Sequence, residues 1–171
     1  MKVESPSFTN EDLVTFMDEI LLVDVRHTAD RLRAAGTRVF ELAAEIPEAS
    51  SDDVAWNAKE ILAHIAVLSR AYGVFAYMVA HDRLTTLPLE GVITQRDPTG
   101  EAMAALTVAE IVAEIHKHHD RTLKFLATAT PEQLRKSVAT ELGPITAESL
   151  IRLPLVAHME DHVVQLAAAL A

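Results

Sequence analysis

Apolar residues recur at spacings of three and four over four long stretches, the repeat of a buried helix face rather than the alternation of a strand. The first stretch runs from about Asn10 to Ile46. Leu13, Phe16, Met17, Ile20 and Leu21 carry its early turns, and Val39, Phe40, Leu42 and Ala43 its last. Between Arg26 and Arg38 the stripe is diluted by polar residues and holds Gly36. That predicts a break or bend, with a short N-terminal helix feeding a longer one that Pro47 ends. The second opens at Asn57, spaced from Glu60 as in a reciprocal N-terminal cap. It carries Ile61, Ile65, Leu68, Tyr72, Phe75 and Val79 before fading near Leu84. Residues 85–105 hold Pro88, Gly91, Pro98 and Gly100 and read as a long crossing loop. The third helix starts at Thr107, capped with Glu110. Its stripe of Val108, Val112, Ile115, His119, Leu123 and Leu126 turns His119 inward and leaves His118 in solvent. Thr130-Pro131-Glu132-Gln133 reads as the start of a short capped helix, and Gly143-Pro144 as a turn. The last helix, Thr146 to about Leu170, holds Pro154 inside it, where a bend is expected. These four helices predict an all-α four-helix bundle with an additional N-terminal helix, residues 1–171 forming one domain.

Composition supports this reading. Ala fills 27 of the 171 positions, only 5% are aromatic and Gly numbers 5, which excludes a β-sandwich or barrel. A formal net charge of -10 argues against a nucleic-acid groove or an anionic membrane surface as partner. Met1 to Glu11 carries acids and Pro6 rather than a basic and then apolar leader. The apolar runs fall short of a membrane span, so a soluble, cytoplasmic protein is expected. Cysteine is absent, which removes disulfides, Cys-ligated zinc and a thiol nucleophile.

Histidine, at eight residues, is the chemically informative type. Four residues separate His158 from His162, so their imidazoles project from one helix face about 6 Å apart along its axis, a spacing that suits one metal ion. A zinc-protease helix would place Glu directly after the first histidine, and Met159 stands there instead. Two solvent-facing histidines are the competing reading of such a pair. His64 lies in the apolar run Ile61 to Val67, where an unpaired imidazole is costly to bury; it is either a hydrogen-bonded core residue or a third ligand.

Trp56-Asn57-Ala58-Lys59-Glu60-Ile61-Leu62-Ala63-His64, with His158-Met159-Glu160-Asp161-His162-Val163-Val164-Gln165-Leu166 far downstream, resembles the DinB-like superfamily. That superfamily includes YfiT-type metal hydrolases and thiol-dependent S-transferases. The resemblance spans roughly Arg31 to Leu170, leaving Phe8 to Val25 and Pro154 outside it. It implies a divalent metal held at one end of the bundle by His64, His158 and His162. Zinc stands first, and nickel, iron or manganese also suit an all-histidine set. Three neutral imidazoles leave a coordination position open, as in catalytic zinc sites, where a bound water titrates near about 7. The resemblance further implies an enzyme acting on a small-molecule substrate, hydrolytic or S-transferring. With no cysteine in the chain, the thiol of an S-transferase reaction, such as mycothiol or bacillithiol, comes from a cosubstrate. Two other readings stay open. One is a non-catalytic small-ligand-binding or stress-response bundle; the other is a metal-free bundle with structural histidines that serves dimerisation. A helical domain this apolar can spare a face for a homodimer.

Other residues read more plainly. His116-Lys117-His118-His119-Asp120 is a charged helix face or, alternatively, a separate metal site. His119 is a core histidine, a support for a metal ligand or a general base, and Glu60 caps the helix or serves as a carboxylate near the metal. Glu160 and Asp161 are surface acids, and Trp56 is an apolar lid on the helix start. Arg70, Arg83, Arg121 and Arg152 suit an anionic substrate, but spacing singles out none of them.

Overall fold

The computed structural model describes residues 9–48, 56–88 and 98–171; Pro6 and Gly91 lie outside the described residues. Helix α1 is Asn10–Ala43, one unbroken helix of 34 residues capped by Thr9 and Asp12, so the expected separate N-terminal helix and break do not form. Its buried stripe explains why. Val25, Thr28, Ala29, Leu32, Ala35, Gly36 and Val39 face the core, and four of these seven are small residues that a hydrophobicity pattern passes over. The apolar early turns are the exposed ones, with Leu13 57%, Phe16 56% and Met17 50% exposed.

Helix α2 is Ala58–Ala80, α3 Pro98–Ala104, α4 Val108–Thr128 and α5 Pro131–Arg135. Strands β1 (Ser137–Thr140) and β2 (Gly143–Thr146) form an antiparallel hairpin pairing Ser137 with Thr146 and Thr140 with Gly143. Then come α6 (Ala147–Leu150), a π-helical stretch Ile151–Ala157 and α7 (His158–Leu170). The hairpin and α3 replace stretches that read as loop. The all-α bundle and the caps at Asn57, Thr107 and Thr130 form as the sequence predicts. At Pro154, where the sequence predicts a bend, the chain takes a π-helical stretch: proline offers no amide to the backbone ladder, and a wider turn accommodates the freed carbonyl.

Helices α2 and α4 run parallel. Ser69 meets His119 and Tyr77 meets Phe125, so the contacts advance together along both. Helix α1 runs against α4, because Gly36 faces His119 while Phe40 stacks on His116. The last helix leaves the end where Lys136 pairs with Asp82 and returns to His64, giving an up, down, down, up bundle. Leu32, Leu62, Ile65, Ile111, Ile115, Leu155 and Leu166 fill the interior. Contrary to the sequence expectation, α2 is long and apolar enough to cross a membrane, yet half of that window is buried in the bundle. Its hydrophobicity belongs to a core helix.

Candidate metal centre

The start of α2 is held by its cap. The Glu60 amide donates to Asn57 Oδ1 at 3.0 Å and the Asn57 amide donates to Glu60 Oε2 at 3.1 Å, so the Glu60 carboxylate is occupied as expected. His64 follows one turn further in. Trp56, just before the cap, has a φ of 66°, a left-handed conformation that is rare and strained for a bulky residue. That turn lays its indole against the histidines, 5.8 Å from the His162 ring at 19° and 4.9 Å from the His64 ring at 87°. Trp56 is therefore a wall of the histidine cluster as well as a lid on the helix.

The π-helical stretch delivers His158 as the first residue of α7, and His162 stands one turn on. Their rings lie 4.4 Å apart; His64 approaches His162 at 4.7 Å and His158 at 5.9 Å. One nitrogen from each of the three lies within 4.8 Å of the others, the geometry of residues able to hold a metal ion. The structure thus brings together all three histidines singled out in the sequence.

His162 has the most constrained surroundings of the three. It is buried, and its Nδ1 lies 2.8 Å from the Gln165 side-chain oxygen, which only accepts, so the proton sits on Nδ1 and Nε2 presents a bare lone pair. That Nε2 is buried and has no hydrogen-bond partner. An orphaned buried acceptor is costly, and an electron-pair acceptor such as a metal ion removes the cost. Burial, more than any charge, pushes the imidazolium pKa of His162 down; the Gln165 contact opposes this and His158 adds to it. The neutral form is the one a metal requires. Sequence reasoning gave Gln165 no role, although its position three residues after His162 was a usable signal.

The remaining candidates separate. Among the described residues, the three histidines are the only metal-like grouping. In the 116–120 cluster, His116 stacks on Phe40 at 3.7 Å, and buried His119 shares a 3.0 Å hydrogen bond with Ser69 Oγ. His118, expected in solvent, is only 5% exposed and contacts Glu114 at 3.2 Å. The reason is the breadth of the buried face. The buried face of α4 keeps Val108, Ile115, His119 and Leu126 of the predicted stripe but widens toward Ile111, His118, Thr122 and Phe125, leaving Val112 and Leu123 only partly buried. Glu160, expected as a surface acid, ties α7 to α1 by accepting two hydrogen bonds from Arg31 at 2.8 and 2.5 Å. Arg83 lies over the Tyr77 ring, and Arg152 pairs with buried Glu148.

The family model of the DinB superfamily matches residues 26–166. The chain belongs to the DinB superfamily. No curated protein and no solved structure matches it. In this DinB-superfamily chain the match takes in His64, His158, His162 and Gln165, and it leaves out the exposed apolar turns from Leu13 to Val23.

Proposed function

We propose that the chain is a metal-dependent enzyme acting on a small molecule, a hydrolase or a thiol-dependent S-transferase, with His64, His158 and His162 as the ligands of one divalent ion. The observation that carries this reading is the buried, unpartnered Nε2 of His162, aimed by Gln165 and flanked by two further imidazoles. A divalent ion bound there would supply Lewis acidity and a coordination position for a water or a thiol. The protein's own part is orientation. Gln165 fixes the tautomer of His162, the Trp56 indole holds two of the rings from one side, and neither His64 nor His158 is buried, which leaves an approach for substrate. Because the chain has no cysteine, a thiol substrate must come from outside.

The test is the metal content of untagged protein, followed by turnover. About one zinc, nickel, iron or manganese ion per chain is expected, with His162→Ala losing it while the helical circular dichroism persists. Metal-loaded protein should then hydrolyse a model ester or join a low-molecular-weight thiol to a model electrophile. Full metal retention by His162→Ala would sink the ligand assignment, and absence of either turnover would sink the enzyme reading.

A further inference from the structure

A hollow of about 670 Å³ lies between the second halves of α2 and α4. At roughly 100° of turn per residue, Arg70, Gly73, Val74 and Tyr77 project between about 180° and 280° round α2 from His64. The hollow therefore opens on the far side of the helix from the three histidines and shares no residue with them.

Its charge is the first indication of what it takes. The chain has 25 Asp and Glu against 15 Lys and Arg, yet no acid lines this hollow, while Arg70, Arg121 and Lys124 do. Elsewhere most cations of the described residues are matched, Arg31 by Glu160, Lys59 by Glu48, Lys117 by Glu114, Arg135 by Asp18 and Arg152 by Glu148, with Arg26 and Arg83 the exceptions. Among the described residues, Arg70, Arg121 and Lys124 have no such partner. Arg70 and Arg121 also border an adjoining hollow of about 500 Å³, so both stand on the rim between the two. The walls are the second indication. Val74 and Tyr77 are each 41% exposed, and Tyr77 meets Phe125 edge-on at 5.8 Å while His81 stacks on it at 4.1 Å. Partly exposed aromatic and aliphatic surface beside guanidinium groups that have no acidic partner matches a flat apolar body carrying a negative charge.

We infer that the α2–α4 hollow binds a small organic anion with an aromatic body, its charge on Arg70 and Arg121 and its ring against Tyr77 and Phe125. Binding there is independent of the histidine centre. A carboxylate and a phosphate ester share this chemistry, and the planar fork of each arginine suits both.

The experiment is calorimetric titration of the full chain, metal-stripped and zinc-loaded, with 1-naphthoate, 1-naphthyl phosphate and the uncharged 1-naphthamide. At least one anion is expected to bind saturably at one per chain in both preparations, and the tighter one identifies the head group. The amide should bind about tenfold more weakly. The double variant Arg70→Ala/Arg121→Ala, whose changes lie on exposed side chains, should lose a similar factor at an unchanged melting temperature, and Tyr77→Ala should also weaken binding. His162→Ala should bind like the wild type. The inference is overturned if neither anion binds, if the amide binds equally well, or if the arginine variant is unaffected. Binding that needs zinc and vanishes in His162→Ala would place the anion at the histidines instead. A change in sedimentation of the Arg or Tyr77 variants would make this face a contact between copies of the chain.

Discussion

Gly73 and Thr122 make a contact that one methyl group would break. Alanine is ordinarily better than glycine inside a helix by up to about 1 kcal/mol, but a Cβ on Gly73 would stand 2.5 Å from the Oγ1 of buried Thr122. Gly73→Ala is expected to destabilise the fold by about 1–3 kcal/mol in urea unfolding, the usual cost of overpacking. Adding Thr122→Ala should recover most of it, since the next atom met is the Thr122 Cβ at 3.9 Å. His119 sets a pH dependence. Burial, with lesser repulsion from His116 and His118 and a small opposing pull from Asp120, lowers its pKa to about 4. Between about 6.5 and 4 the unfolded chain binds this proton and the folded chain does not. Stability is therefore complete above about pH 6.5 and falls with acidification, by about 3 kcal/mol once pH 4 is passed. His119→Gln, with an amide to meet Ser69, should flatten that slope in unfolding measured from pH 7 to 4. An unchanged slope would assign the effect to other groups.

At the scale of elements, legibility followed locality. The caps at Asn57, Thr107 and Thr130 are written in residues three apart, so sequence alone placed three helix starts. The pair His158 and His162 was equally readable, because helical period alone sets it on one face. What failed was set by distant partners. The stripe of α1 is built partly of Ala, Thr and Gly where α4 and the last helix come close, and the extra width of the α4 face lies in His118 and Thr122, polar residues that the core accepts. The hairpin is braced from a distant segment, the Leu87 amide donating to the Ala139 carbonyl at 2.9 Å and the Ala139 amide to the Thr85 carbonyl at 3.3 Å. The early turns of α1 carry a further expectation. Leu13, Val14, Phe16, Met17, Ile20 and Val23 remain exposed on one element, and contiguous apolar surface of that kind marks a contact surface. Sedimentation should show self-association that Phe16→Glu weakens without loss of helix content; indifference to that change would leave this face out of any dimer.

Across the whole molecule, the histidine cluster joins the start of α2 to the start of α7, segments far apart in sequence. Zinc at 100 times its dissociation constant should then add about 2.7 kcal/mol to stability, seen as a raised melting temperature that a chelator reverses and that His162→Ala lacks. An equal rise in that variant would locate zinc elsewhere. The parallel course of α2 and α4 has an electrostatic consequence of its own. Neighbouring antiparallel helices cancel one another's dipoles, whereas these two add, gathering two sets of partly negative carbonyl ends at one end of the bundle. Tyr77 and Phe125 stand in those final turns, while Arg70 and Arg121 lie roughly two to three turns upstream, beyond the reach of the terminal charge. An aromatic anion between the helices would therefore meet two fields, the partly negative carbonyl ends offset by Lys124 beside Phe125, and the guanidinium pair upstream. With two guanidinium groups at one end and a single ammonium against two sets of carbonyls at the other, it would enter with its charge at the arginines and its ring toward the helix ends.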